Sequence, residues 1–354
     1  MESAHSHRRD LAIWGYAFGY FACYAPYSAL TKALSSGLLP GMAHGIGGFA
    51  LLPASTLASL VGMFCFLTVK GWWRHASHRT VFGVSVPSPG RWTFMSGLCS
   101  AAIIGTTTLA YTFEGTSILF MMLMMRGGVL VLAPIVDAVS KRRVQWPSWV
   151  ALGLSLGAVA VATGPGTDPR LSLAALIDLG VYLLSYFFRL RAMSRLAKSE
   201  DPAVSIRYFV EEQMVATPAI VLTLAALALV GEGRGMLEIR EGFTQFFARG
   251  RMLEEVCVGL LSQGTGIFGG LILLDHRENA FTVPVNRASS ILAGVLASAV
   301  LAAWLGQRGV EGRELLGAAL VMAAMLGLSV PLVLKARRER KAAASPQPSS
   351  SAQG

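Results

Sequence analysis

The sequence predicts an all-α integral membrane protein whose ten transmembrane helices form two inverted five-helix repeats. Three observations predict it. First, 53% of the 354 residues are hydrophobic and only 14% are charged, with a mean hydropathy of +0.55, whereas a soluble domain carries about a quarter charged residues. Second, apolar runs of membrane-crossing length recur along the chain. A hydrocarbon layer of about 30 Å takes ~20 residues per helix, because every backbone N–H and C=O must be paired inside the segment. Third, the polar residues that interrupt these runs recur in the same order in both halves.

The runs place spans at 11–31, 47–69, 93–113, 116–138 and 148–164, and again at 171–192, 208–230, 254–274, 281–304 and 313–334. Residues 1–10 are then an N-terminal cytoplasmic segment, 11–164 the first repeat, 171–334 the second, and 335–354 a basic, then disordered, cytoplasmic tail. The first run follows Arg8 and Arg9 as a signal peptide would, but it is too long and has no small-residue cleavage site, so it reads as a retained helix. With both termini inside, about 20 of the 30 basic residues fall on cytoplasmic segments, Arg189 among them, which is the bias of the positive-inside rule. The net charge of +10 therefore encodes topology, and no nucleic-acid partner is expected. Cys23, Cys65, Cys99 and Cys257 stand singly within spans, without disulfide or metal spacing. Met236, Ile239, Phe243 and Phe246 in the loop 231–253 have the spacing of an interfacial amphipathic helix.

The repeat is read from matched punctuation. Gly105-Thr106, Glu114, Arg126, a polar break and Gly153 in the first half correspond to Gly264-Thr265, Glu278, Arg287, a polar break and Gly317 in the second. Five is an odd number, so consecutive copies enter the membrane from opposite sides and form an inverted pair.

The stretch ASSILAGVLASAVLAAWLGQRGVEGRELLGAALVMAAMLGL, Ala288 to Leu328, resembles the end-of-repeat pattern of the EamA-like branch of the drug/metabolite transporter superfamily: a helix, a short "LGE-R" turn and a Gly-led helix. Gln307 stands where that family commonly has Glu. Phe209 to Leu227, with Gln213, is similar to the family's seventh helix, and Trp14-Gly15 to its first. The resemblance implies a ten-helix secondary transporter with a cavity between its repeats, and it favours export.

Charged and polar residues inside spans are the functional candidates, since an Arg at the bilayer centre costs at least about 2.5–3.5 kcal/mol unless it meets a cavity or a partner. Arg126 lies in mid-span and Arg287 at the corresponding place of the second repeat, beside Asn286. Guanidinium forks suit carboxylate or phosphate, so both are assigned to an anionic group of the substrate. The alternative is internal pairing, Arg126 with Asp178, or Arg287 with Glu278 or Glu211. Tyr27, Tyr111, Thr107 and Gln263 are assigned to the lining of the substrate cavity, where their side chains have hydrogen bonds to offer. Asp178, Glu211 and Glu114 are assigned to coupling or charge pairing, with Glu211 and Glu212 read as opening the seventh span and Glu114 as capping a turn.

The G-x-S-x-G match at Gly153–Gly157 lies inside a span rather than on a strand-to-helix turn, so it reads as small-residue packing. No nucleotide-hydrolysing loop GxxxxGK[ST] occurs. The expected function is secondary transport of a small anionic or amphiphilic metabolite across a cell inner membrane by alternating access. The alternatives are a flippase of lipid-linked or phospholipid headgroups and, from another class, an integral-membrane enzyme acting on lipid. No catalytic residue, cofactor or metal is expected. The expected partners are a small-molecule substrate and the lipid bilayer, with a homodimer left open.

Overall fold

The computed structural model describes residues 2–113, 118–139, 172–197, 201–275, 279–306 and 309–323, together with positions 149–150, 153–154, 156–157, 160–161 and 326–327. Its helices are α1 (Glu2–Ser35), α2 (Gly48–Val69), α3 (Arg91–Ala110), α4 (Ile118–Val139), α5 (Leu173–Leu196), α6 (Pro202–Val230), α7 (Gly233–Thr244), α8 (Met252–Leu273), α9 (Asn279–Leu305) and α10 (312–323). A helix thus lies at each predicted span, with the tenth described in part; in the fifth, 148–164, the described positions are helical and the others fall outside the described residues.

Among the described residues, six helices are long and apolar enough to cross a membrane: α2, α3, α5, Ala203–Val230 of α6, α8, and Val285–Leu305 of α9. The chain is a helical membrane protein. In α1, Tyr16, Tyr20, Tyr24 and Tyr27 take positions that aliphatic residues fill in those six. Serine and threonine are accommodated inside helices by donating to carbonyls one turn back, as Thr31 does to Tyr27 and Ser55 to Leu51.

Helix α1 begins at Glu2 and runs unbroken through residues 2–10 into the first span. Two features depart from the sequence reading. Helix α6 begins at Pro202, where Asp201 accepts a hydrogen bond from the Ala203 N–H at 2.9 Å and proline takes the first turn. Glu211 and Glu212 are therefore two turns inside the helix and do not open it. Between α2 and α3, a 3-10 turn (Trp72–His75) leads into an antiparallel hairpin of β1 (His78–Val81) and β2 (Val84–Pro87). Strands of four residues, one ending in proline, carry too little alternation to stand out from a basic loop.

The halves interleave. Helix α1 packs on α8 and α9, α2 on α8 and α6, α3 on α5 and α6, and α4 on α5 and α9. The amphipathic α7 lies against α2 and α6, with Ile239 and Gly242 buried. The α2–α8 seam is the tightest of these contacts. Ser59 donates to the Gly259 carbonyl at 2.7 Å, and a Cβ on Gly259 would come within 2.6 Å of the Ala58 Cβ and collide with the Ser55 carbonyl.

Gly259→Val is therefore expected to push α2 from α8 and cost about 1–3 kcal/mol, seen as a lower unfolding midpoint in detergent. An unchanged midpoint would show that the seam is looser than described.

Candidate functional site

Arg126 sits in the middle of α4, in the run MMLMMRGGVLVL. A Cβ on Gly128 would lie 2.7 Å from Leu183, so this glycine lets α4 approach α5 closely and carries Arg126 to the α5 face. The guanidinium is buried, yet among the described residues it meets no carboxylate. Its Nη1 donates to the Tyr182 Oη at 2.5 Å and its Nη2 to the Tyr24 Oη at 2.5 Å. The same two rings lie 5.3 Å (Tyr24) and 5.7 Å (Tyr182) from its carbon, within cation–π range. Nε has no hydrogen-bond partner among the described residues.

Helix α5 organises this region. Ser172 caps it by accepting from the Ala175 N–H at 3.2 Å. The buried residues Asp178, Tyr182, Tyr186 and Arg189 follow at intervals of four, four and three, which places them along one helix face. The Tyr182 and Tyr186 rings pack at a tilt of 52° with centroids 4.7 Å apart. The Arg287 guanidinium lies 4.6 Å from the Tyr186 ring centre, so the two arginines approach opposite members of one tyrosine pair. Arg287 is 0% exposed, and none of its guanidinium nitrogens has a hydrogen-bond partner among the described residues. Both Asp178 oxygens are likewise without one. Hydrogen-bonded pairing of Arg126 with Asp178 is therefore not the arrangement found.

At the far end of the α5 stripe stands a buried ion pair. Arg189 donates through Nε and Nη2 to the two Glu212 oxygens at 2.8 and 2.9 Å, and Ser96 and Ser100 of α3 donate to the same carboxylate at 2.7 and 2.9 Å. Arg189, counted on a cytoplasmic segment by sequence, is thus a buried residue of α5. Its neighbour Glu211 accepts from the Ser77 N–H and Oγ, the Gly90 N–H, the Thr93 Oγ and the Arg207 Nε. These two carboxylates fasten α6 to α3 and to the base of the β1–β2 hairpin.

A cavity of about 90 Å³ lies between these groups. Arg126, Tyr20, Tyr24, Thr107, Tyr186, Arg189, Gln213, Gln263 and Asn286 are among its walls, so α1, α3, α4, α5, α6, α8 and α9 all contribute. Order along α3 fixes its vertical position: Ser96 binds Glu212 below it, Ser100 binds the same carboxylate at its lower wall, Ile103, Ile104 and Thr107 line it, and Thr108 and Tyr111 meet α1 above it. There the Tyr27 and Thr108 hydroxyls are 2.8 Å apart, and those of Tyr24 and Tyr111 2.5 Å.

Of the residues singled out in the sequence, Arg126, Asn286, Thr107 and Gln263 come together on the cavity wall. Tyr27 and Tyr111 lie in the layer above it. Arg287 is packed behind Tyr186, Asp178 lies on the α5 stripe one turn from Tyr182, and Glu211 is in the clamp at the hairpin. Glu114 lies outside the described residues. The sequence reading missed Tyr20, Tyr186 and Arg189, although the helical spacing of polar residues from Asp178 to Arg189 marks the face that carries two of them. Among the described residues no cluster of three or more His, Cys, Asp or Glu is placed to hold a metal ion.

No family model matches the chain, and no curated protein does. Among solved structures, one described only as "Crystal structure of protein" is 12% identical with a TM-score of 0.45, over 92% of this chain and 98% of its own. A likeness of that size identifies neither family nor function.

Replacing Glu212 with Leu leaves the Arg189 charge buried and alone, with an expected loss of about 3–5 kcal/mol in unfolding free energy. Adding Arg189→Met should restore most of it. A double variant as unstable as the single one would mean that the ion pair does not account for the loss.

Proposed function

We propose that the chain is a secondary transporter that carries a small anionic or amphiphilic metabolite across a cell inner membrane by alternating access, with both termini in the cytoplasm. The observation that carries this reading is Arg126: a guanidinium on the wall of a cavity, held by phenols and with no acid bound to it among the described residues. A carboxylate or phosphate entering the cavity exchanges two guanidinium–phenol hydrogen bonds for a bidentate pair in which both partners are charged. The phenols also shield the charge while the site is empty, so the apo protein tolerates the buried cation.

Two further features support a two-repeat carrier of the EamA-like branch. Numbering the predicted spans one to ten, adding five to each member of the most extensively packed pairs yields another such pair. Spans 1 and 8 (α1–α8) map to 6 and 3 (α5–α3), and 1 and 9 (α1–α9) to 6 and 4 (α5–α4). Spans 3 and 7 (α3–α6) map to 8 and 2 (α8–α2), whereas 2 with 7 and 4 with 9 map onto themselves. Such a pattern is what a two-fold relation between inverted repeats produces. The cavity also has a closure on either side that links different helices. The Tyr24–Tyr111 and Tyr27–Thr108 contacts join α1 to α3, and the Glu212 cluster joins α3 to α5 and α6. Opening to one side requires breaking one set while the other holds: hydroxyl hydrogen bonds above, and an ion pair with two serine hydrogen bonds below.

The test is a thermal-shift screen of small carboxylates and phosphates on purified protein, repeated with Arg126→Ala, followed by counterflow of any hit in proteoliposomes. A ligand at a hundred times its Kd should stabilise the wild type by about 2.7 kcal/mol and leave the variant unshifted, and the wild type should exchange it across the bilayer. Equal shifts in both proteins would remove Arg126 from the site, and a bound hit that is never exchanged would remove transport.

A further inference from the structure

The β1–β2 hairpin has no role in the proposed transport cycle, and its composition is unlike the rest of the surface. From Lys70 to Arg91 the chain carries Lys70, Arg74, Arg79 and Arg91, with His75 and His78, and no acidic residue. In the hairpin register Arg79 pairs with Val86. Directly paired residues share a face, and Val84, two residues from Val86, lies on that face too. Val84 and Val86 are exposed, and Phe82 at the tip is fully so, at 101%.

The tip is an unusual place for phenylalanine. Phe82 has φ 51° and Gly83 φ 81°, the left-handed pair of a two-residue hairpin turn, whose first position favours Asn, Asp or Gly. A bulky side chain in that region costs backbone energy, and a fully exposed ring has no contact within the protein to offset it. An isolated two-stranded hairpin is also marginal in water. Yet its base is firmly held: Ser88 N–H donates to the Ser77 carbonyl at 2.7 Å, and Ser77 and Gly90 are both bound by Glu211. The hairpin is thus fixed to the bundle while its apolar tip and basic flank are left open. It also joins the ends of two membrane-crossing helices, α2 and α3, so the headgroup layer is adjacent to it. Trp72 and Trp73, half-buried at its base, belong to the residue type enriched at that depth.

We propose that this hairpin is a docking surface for anionic phospholipid headgroups of the bilayer in which the protein sits. Phe82, Val84 and Val86 enter the interface, and Lys70, Arg74, Arg79 and Arg91 pair with the phosphates. The surface rests on the membrane character of the chain and not on what the cavity carries, so it stands or falls apart from transport.

The test uses the full-length protein with its four cysteines replaced by alanine and Phe82→Cys carrying an environment-sensitive fluorophore. It is reconstituted in nanodiscs of phosphatidylcholine alone or with added phosphatidylglycerol, and iodide quenching is read as a second measure of exposure. Emission should shift to the blue, and quenching fall, on adding phosphatidylglycerol. High salt should reverse both, and Arg74→Gln or Arg79→Gln should each weaken the anionic-lipid response roughly fivefold. A probe that stays water-exposed in both discs overturns the proposal. So does an equal shift in both lipids that ignores the arginine substitutions, since that would be apolar insertion without headgroup recognition.

Discussion

A guanidinium buried among methionines and leucines has to be solvated by something, and the arrangement around Arg126 answers that requirement. Water can do it, a carboxylate can do it, or neutral dipoles can. Here two phenols take the two terminal nitrogens and present their ring faces to the same charge. That choice keeps the cation uncancelled, which a carboxylate would not. Much nearby structure follows from it. Tyr24 must reach across from α1, Tyr182 from α5, and α4 must approach α5 closely enough at Gly128 for the contact to form. Arg287 meets the same need through the Tyr186 ring, so the packed Tyr182–Tyr186 pair is shared between two charges.

The acidic residues serve a different purpose. Glu211 and Glu212 are neighbours on α6, but successive helix positions diverge by about 100°, and each faces a different structure. Glu212 saturates itself with Arg189, Ser96 and Ser100 at the floor of the cavity. Glu211 gathers five donors from Ser77, Gly90, Thr93 and Arg207 at the root of the hairpin. Two adjacent side chains therefore tie the cavity floor and the root of the hairpin to the same helix.

The sequence made the apolar spans legible, and with them Arg126, because charge inside a run of methionine and leucine has no ordinary explanation. Asn286, Thr107 and Gln263 were legible for the same reason, as polar groups within hydrocarbon. Arg189 was not: it stands next to Leu190 and Arg191 near the end of an apolar run, where it reads as one more charge facing the cytoplasm. Only the helical phase of Asp178, Tyr182, Tyr186 and Arg189 distinguishes it from its neighbours. Which tyrosines solvate Arg126 depends on how closely helices approach, and that is set by glycines such as Gly128 whose partners lie far away in the chain. The start of α6 was misplaced by six residues because hydropathy begins at Tyr208, whereas the Asp201-Pro202 cap begins the helix earlier.

The account's central claim is that Arg126 faces a wet compartment between the halves and uses its charge there. A direct measurement is the rate at which Gln263→Cys, in protein lacking its natural cysteines, reacts with small anionic and cationic thiol reagents. The account predicts that the anionic reagent reacts faster and that Arg126→Gln abolishes this preference while leaving the cysteine reactive. No reaction with either reagent, or a preference that survives loss of the arginine, would contradict it.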